Sequence, residues 1–298
     1  MKRLISCYTR DFQNIQRSEF KQSIQASEGR TIVSETVCTA SPLLEGITNA
    51  EVMASFGSDI ILLNEFDVFT QYINGLEIEV ENMIAYIKDL IGLPVGINLE
   101  PVDNGATVLG EKVTLPKGRR ATKEAFIRAK ELGVDLLVLT GNPATGVTNQ
   151  SILKAISVAN KYYGGLLFAG KMHGAGVTEE IVSVSELVDY VKAGADGVLI
   201  PAVGTVPGVT EQIAYEAAKA VQMNNGLVMS TIGTSQESAD SETIRQIGIM
   251  NKRIGADMHH IGDGAYGRMP IPENITTLSL AVRGRRHTYF RMSQSIKR

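Results

Sequence analysis

Short apolar segments recur along the chain at a nearly constant spacing, and this recurrence constrains the fold more than any other feature. Their first residues lie 28 to 40 residues apart. Helical patterns separate them, and no two segments are joined by the tight turn that makes an antiparallel hairpin. Such a repeat of one strand and one helix predicts an α/β protein with parallel strands. The predicted strands begin near residues 31, 59, 94, 134, 164, 196, 226 and 257.

Eight such units are the number that closes a (βα)8 barrel, or TIM barrel, and 298 residues accommodate one barrel with additions. An open, doubly wound sheet is the alternative for the same alternating pattern. Four of the helix-to-strand joints share a glycine followed two residues later by an aspartate. The glycine can end the helix in a left-handed conformation, and the aspartate opens the next strand. These joints are Gly57-Ser-Asp59, Gly133-Val-Asp135, Gly194-Ala-Asp196 and Gly255-Ala-Asp257.

Before the first predicted strand, residues 9–28 have the periodicity of an amphipathic helix. Phe12, Ile15, Phe20 and Ile24 fall on one broad face of this helix. Because no strand precedes it, we expect the helix to close the bottom of the barrel, opposite the active face. A helix that binds a partner is the alternative.

The sequence predicts one domain over residues 1–298, divided into three parts. Residues 1–30 hold the N-terminal helix, residues 31–282 form the barrel, and residues 283–298 form a basic C-terminal tail. The tail contains six arginine or lysine residues and no acid. It is either a solvated segment or a contact with a phosphate or with another copy of the chain, so a homo-oligomer is among the predicted states.

Composition and charge narrow the class of protein. Apolar residues make up 44% of the chain and charged residues 20%, which allows a large core and argues against disorder. The net charge of −3 provides no overall field for nucleic acid. Cys7 and Cys38 are too few cysteines for a disulfide framework, and no apolar run approaches the roughly 18 residues of a membrane span. We therefore expect a cytoplasmic protein without nucleic-acid or membrane partners.

Acidic side chains follow the second and third predicted strands, at the face where TIM barrels carry their active sites. Neighbouring strand ends lie about 5 Å apart, so Glu65, Asp67, Glu100 and Asp103 could surround one Mg²⁺ ion. One of the catalytic candidates, Glu65 or Glu100, could instead act as a general base whose pKa the other acids raise. Simple solvation, or pairing with the basic loop over 112–123, is the alternative without chemistry.

Lys171 and His173 follow the fifth predicted strand and are the other two catalytic candidates. Alternation along the strand would let both side chains point to the barrel mouth. Lys171 could lose its proton and serve as a base or form an imine, and His173 could carry protons near neutral pH. Alternatively, Lys171 is a fixed positive charge that holds a substrate phosphate or carboxylate.

Two glycine-containing turns follow the last two predicted strands. Gly233, Thr234 and Ser235 come after the seventh strand, and Gly262 and Gly264 come after the eighth. Backbone N–H groups in such turns bind anions, and TIM barrels commonly place a phosphate at this corner. The Gly-x-Gly-x-x-Gly spacing at 262–267 lacks the early strand-helix-strand setting of a dinucleotide site. The sequence therefore predicts a phosphate site formed by these five residues.

Two adjacent histidines lie at the eighth predicted strand. Neighbouring residues of a strand face opposite sides, so one of His259 and His260 must face the barrel core and the other the helical layer. His260 lies nearer the mouth. This opposition also argues against a zinc site formed by the pair.

The segment Asp59 to Phe69, followed by Pro94-Val-Gly-Ile-Asn-Leu99, resembles the family of the photosystem I biogenesis protein BtpA. That family has an acidic-aromatic turn after an early strand and then a Pro-x-Gly-x-Asn strand. Thr140-Gly-Asn-Pro-Ala-Thr-Gly146 and the alanine-aspartate pattern at 195–204 are similar to it. The resemblance implies a phosphate-binding TIM barrel in the neighbourhood of the phosphoenolpyruvate mutase and ribulose-phosphate barrels.

Together these features predict an enzyme, a lyase or isomerase of a small phosphorylated sugar or carbon acid, assisted by Mg²⁺. Four acids, a lysine and a histidine at strand ends exceed what plain binding requires. A sensor that binds a sugar phosphate without turnover is one alternative. An assembly factor, which only the BtpA resemblance implies, is the other.

Overall fold

A computed structural model describes residues 2–76, 78–107, 111, 113–174 and 179–298. In this part of the chain, eight parallel strands form a closed barrel in sequence order, and β1 pairs with both β2 and β8. The predicted TIM barrel is therefore confirmed, and the open doubly wound sheet is not formed. The strands are β1 Thr31–Val37, β2 Ile60–Asn64, β3 Val95–Leu99, β4 Leu136–Leu139, β5 Leu166–Gly170, β6 Gly197–Pro201, β7 Leu227–Ile232 and β8 Met258–Ile261.

Helices alternate with the strands and form the outer layer. The helix Pro272–Met292 extends the last unit and packs against the helices Ser241–Arg253 and Asn49–Ser55. The helices are α1 Thr9–Phe12, α2 Arg17–Gln25, α3 Asn49–Ser55, α4 Met83–Ile91, α5 Lys123–Glu131, α6 Asn149–Tyr162, α7 Val184–Lys192, α8 Glu211–Met223, α9 Ser241–Arg253 and α10 Pro272–Met292.

The strands are fully buried, because one side of each faces the barrel interior and the other faces the helices. In the interior, large and small residues alternate between neighbouring strands. Phe168 of β5 lies against Gly197 of β6, where an added Cβ would be 2.4 Å from the Phe168 ring. The lower interior is therefore a packed core.

The N-terminal segment closes the bottom of the barrel, as predicted, but as two helices. Asn14 has a φ of 61°, a left-handed conformation that asparagine tolerates, and it separates α1 from α2. From α2, Arg17 Nε lies 2.7 Å from Asp196 Oδ2 at the start of β6, and Lys21 donates to the Asn225 carbonyl before β7. Phe20 of the same helix is buried.

The four glycine-aspartate joints form one repeated structure at the bottom of the barrel. Each glycine has a positive φ, between 72° and 110°. Each aspartate then accepts a backbone N–H bond of 2.8 or 2.9 Å from the preceding strand. The joints thus tie each even-numbered strand to the odd-numbered strand before it. The pairs are Asp59 with Ile32, Asp135 with Val95, Asp196 with Leu167, and Asp257 with Val228.

The basic segment after residue 282 belongs to α10, which breaks at Gly284, where φ is 69°, and then continues as a helix to Met292. Two of its arginines turn inward and pair with Asp59. Arg283 Nη1 lies 2.5 Å from Asp59 Oδ2, and Arg291 Nε lies 2.8 Å from Asp59 Oδ1. All three side chains are at most 2% exposed. These two arginines therefore hold the last helix against the barrel bottom.

Candidate active site

A buried acid–imidazole pair lies in the upper interior of the barrel. Glu35 on β1 and His260 on β8 face inward, and their Oε2 and Nε2 atoms are 2.8 Å apart. Asn98 on β3 donates to the other Glu35 oxygen at 2.5 Å. Glu35 is 1% exposed and His260 is fully buried, so each group depends on these partners. His259, the residue before His260, faces the helical layer, as strand alternation predicts. Its Nε2 atom lies 2.9 Å from the Gly29 carbonyl oxygen.

Glu35 was not among the predicted site residues. It lies in the middle of Thr31–Val37, where strand periodicity predicts only a buried core segment. Its charge was the one sequence feature that could have identified Glu35, because a glutamate inside a buried β-branched strand needs a partner.

A second carboxyl group lies nearer the mouth. Asp263, in the turn after β8, accepts a hydrogen bond of 2.7 Å from Asn64 at the end of β2. Burial, together with the negative charge of Glu35, raises the pKa of Asp263 to about 7, and the Asn64 hydrogen bond only partly opposes this rise. Asp263 can therefore exchange a proton near neutral pH.

Glu100 and Glu65 are connected by Arg119, from the loop after β3. Arg119 Nη2 lies 3.2 Å from Glu100 and Nη1 lies 3.5 Å from Glu65. Asn142, in the loop after β4, donates to both Glu100 oxygens, from its backbone N–H at 2.8 Å and from its side-chain N–H at 2.9 Å.

Asn142 also exchanges hydrogen bonds with Asn64, and Asn64 in turn donates to Asp263. Glu100 and Asp263 are therefore connected through these two asparagines. The structure thus brings two of the predicted catalytic acids to the mouth.

The four acids predicted to hold magnesium do not gather around one point. Asp67 accepts the backbone N–H groups of Phe69 and Thr70, and Asp103 accepts that of Gly105, so both acids stabilise local turns. The described residues contain no group of three or more His, Cys, Asp or Glu side chains that could hold a metal ion. The predicted ligand set therefore does not fit Mg²⁺ in this arrangement.

His173 and Lys171 lie on different sides of the barrel wall. Burial lowers the pKa of His173, and the imidazole is near enough to Glu35 and Glu100 for their charges to oppose this decrease. Lys171 follows the inward-facing Gly170, so it points outward, where it is 3% exposed and pairs with Glu179. There Asn149, at the start of α6, also donates to Glu179 at 3.0 Å. The catalytic role of Lys171 stays a prediction.

The turns that the sequence predicts as a phosphate site lie after β7 and β8, and a side chain of the protein lies between them. Thr234 and Ser235 have positive φ values of 56° and 77°, as a turn that directs backbone N–H groups inward requires. The N–H of Gly262 donates to the Ile232 carbonyl at 2.9 Å. The Glu237 carboxylate lies against Gly264 and is fully buried. Sequence reasoning missed Glu237, since nothing in the pattern marks it as buried.

Comparison with protein families gives one match that spans nearly the whole chain. A family described as a domain of unknown function, DUF7916, matches residues 5–298. The chain belongs to the DUF7916 family. No curated protein sequence matches this DUF7916 chain. The resemblance to the BtpA family stays a prediction.

Among the described residues, every helix is too short or too polar to span a membrane.

Solved structures with the same fold include several enzymes, all at low sequence identity. An archaeal fructose 1,6-bisphosphate aldolase has a TM-score of 0.53 and 14% identity, covering 87% of the DUF7916 chain and 96% of its own. An oxaloacetate acetylhydrolase has a TM-score of 0.50 and 13% identity, covering 85% and 81%. The carboxyl transferase domain of Rhizobium etli pyruvate carboxylase has a TM-score of 0.55 and 12% identity, covering 97% and 52%. These similarities establish the fold.

Proposed function

We propose that this DUF7916 protein is a lyase or isomerase that moves a proton at the carbon next to a carbonyl group of a small sugar or carbon acid. The observation that carries the proposal is the position of Asp263. This carboxyl group lies at the mouth, with a pKa raised to about 7 by burial and by the buried Glu35. A carboxyl with a pKa near 7 can both take and return a proton near neutral pH.

In the proposed reaction, the Asp263 carboxylate removes the proton from the carbon next to the carbonyl. The electrons of the C–H bond move into the C–C bond, and the carbonyl oxygen becomes an enolate oxygen. The side-chain N–H groups of Asn64 bond to Asp263 and Asn142, and those of Asn142 bond to Asn64 and Glu100. These amides stabilise the enolate charge by exchanging one of these partners for the enolate oxygen. In an isomerisation, the proton returns to the former carbonyl carbon while the proton of the neighbouring hydroxyl group passes to the enolate oxygen. In the lyase reaction, Asp263 takes the proton of a hydroxyl group on the second carbon from the carbonyl, the C–C bond between them breaks to release a new carbonyl compound, and the resulting enolate takes up the proton at carbon.

Glu35 and His260 support this chemistry from below. Their contact holds the Glu35 carboxyl group in place below Asp263, and Asn98 donates to the other Glu35 oxygen. They are positioning residues, since both are buried. His173, Glu65 and Glu100 line the mouth around this group, where they can orient a substrate with hydroxyl or carboxylate groups.

Two finer expectations accompany the proposal. A phosphorylated substrate is supported by the turns after β7 and β8, whereas Glu237 in that corner opposes it. Magnesium assistance is supported by the number of acids at the mouth, whereas their hydrogen bonds to Asn142, Arg119 and local turns oppose it. The proposed proton transfer requires neither a phosphate group nor Mg²⁺. A sensor without turnover is the alternative, and the buried, pKa-shifted acid favours the enzyme.

The test is to follow deuterium incorporation from D₂O by NMR. Purified protein is incubated with pyruvate, oxaloacetate, dihydroxyacetone and dihydroxyacetone phosphate, each with and without Mg²⁺. We expect deuterium at the carbon next to the carbonyl, or product, for at least one compound. Binding of a compound without exchange or conversion of any would favour the sensor.

A further inference from the structure

The corner after β7 and β8 contains a buried carboxylate that none of the mouth chemistry uses. Glu237 lies in the single turn Gln236–Ser238 that follows β7, and it is fully buried. Neither of its carboxylate oxygens accepts a hydrogen bond of ordinary geometry within the part of the chain that the structure describes, although the backbone N–H groups of Ser235 and Gly264 lie near the carboxylate. Buried carboxylates without partners are rare because they lose their hydration, so this position calls for a physical explanation.

The backbone around Glu237 has the form of an anion-binding turn. Thr234 and Ser235 adopt consecutive left-handed conformations just before it. Gly264, after β8, passes so close that a Cβ there would lie 1.8 Å from Glu237 Oε1. Burial raises the pKa of Glu237, and the N–H groups of Ser235, Gly264 and Glu237 itself partly offset this rise. The two turns thus enclose the carboxylate in the volume that their N–H groups surround.

We propose that Glu237 takes the place of a substrate phosphate at this corner. The side chain fills the volume that a phosphate would need, and its charge repels a dianion. Phosphate therefore binds this corner only when the side chain is removed. If the proposed proton-transfer function also holds, its substrates carry no phosphate at this end. The statement about the corner does not depend on that function.

Isothermal titration with inorganic phosphate tests the corner directly, without any substrate. The wild-type protein is compared with Glu237→Ala, which removes the carboxylate, and with Glu237→Gln, which keeps the side-chain volume. Glu242→Ala removes an exposed acid from the first turn of α9 and serves as the matched control for net charge. We expect Glu237→Ala to bind phosphate on the order of tenfold or more tighter than the other three proteins.

Several outcomes would overturn the proposal. One is stoichiometric phosphate binding by the wild-type protein that protects the amides of Ser235 and Gly264 from hydrogen exchange. Another is an equal gain of affinity in Glu237→Gln or Glu242→Ala. A third is the absence of any gain in a folded Glu237→Ala protein. If Glu237→Ala does not fold, the test uses hydrogen exchange of the wild-type protein and titration of Glu237→Gln. Absence of phosphate binding by both proteins supports the proposal, and phosphate binding by either one contradicts it.

Discussion

The Nε2 atom of His260 lies 2.8 Å from Oε2 of Glu35, inside the barrel and out of contact with solvent. The two residues belong to β8 and β1, the strands whose pairing closes the barrel. The turn that follows β8 carries Asp263, whose pKa the charge of Glu35 raises. The chemistry proposed for this protein is thus built where the two ends of the barrel sheet meet.

Replacing Asp263 with asparagine should greatly slow proton transfer while preserving the fold. The substitution keeps the size of the side chain and removes its ability to accept a proton. We expect deuterium incorporation to fall by roughly 100-fold to 10,000-fold, the usual contribution of general acid–base catalysis. Asp89→Asn is the control, because Asp89 is exposed on α4 at the opposite end of the barrel. Equal rates for Asp263→Asn and wild type would remove Asp263 from the mechanism.

Replacing Asp59 with asparagine should strongly destabilise the protein. Arg283 and Arg291 would remain buried without a negative partner, which costs about 3 to 5 kcal/mol. The free energy of unfolding from urea titration measures this loss. Glu28→Gln is the control, since Glu28 pairs with Arg30 at 2.6 Å but is 76% exposed, and its loss should cost less than about 1 kcal/mol. Similar values for the two variants would contradict the structural role of Asp59.

The stability of the protein should decrease in mild acid because of His259. Burial lowers the pKa of this imidazole to about 4, from an ordinary value of 6.5. Between these two values the unfolded chain binds a proton that the folded chain excludes, so the free energy of unfolding falls as pH falls. The loss amounts to about 3 kcal/mol at pH 4.

Urea titrations of His259→Gln across this pH range check the assignment. This variant should be less stable than wild type at neutral pH, and its stability should depend less on pH. His287→Gln is the control, because His287 is only partly buried on α10. Identical pH dependence in wild type and His259→Gln would show that another group causes the acid sensitivity.

The fold follows from the sequence because it depends on features that repeat. Apolar strands at regular spacing and the glycine-aspartate joints predict the barrel, and the joints then form the same hydrogen bond four times. The break at Asn14 was not predicted, because an amphipathic pattern continues across it and only the backbone conformation reveals it.

The site follows from the sequence only in part. The ends of the strands locate Glu65, Glu100 and His173 at the mouth, because each strand has a known direction. Glu35 and Glu237 could not be located in this way. Glu35 lies within a strand, and its role depends on the register that places His260 beside it. Glu237 depends on how two loops distant in sequence enclose it.

The proposed mechanism depends on Glu35, which tunes Asp263 for proton transfer near neutral pH. Because the Asp263 carboxylate acts as the base, the rate of deuterium incorporation should rise with pH through about 7 in the wild-type protein. Glu35→Gln keeps the side-chain volume and removes the charge that raises the pKa of Asp263.

The most direct test is therefore the pH profile of deuterium incorporation in wild type and Glu35→Gln, with the compound from the D₂O panel that wild type exchanges fastest. We predict that the midpoint of the rising limb moves to lower pH in Glu35→Gln, by on the order of one pH unit. A midpoint that stays at the wild-type value while the variant remains active would contradict the account.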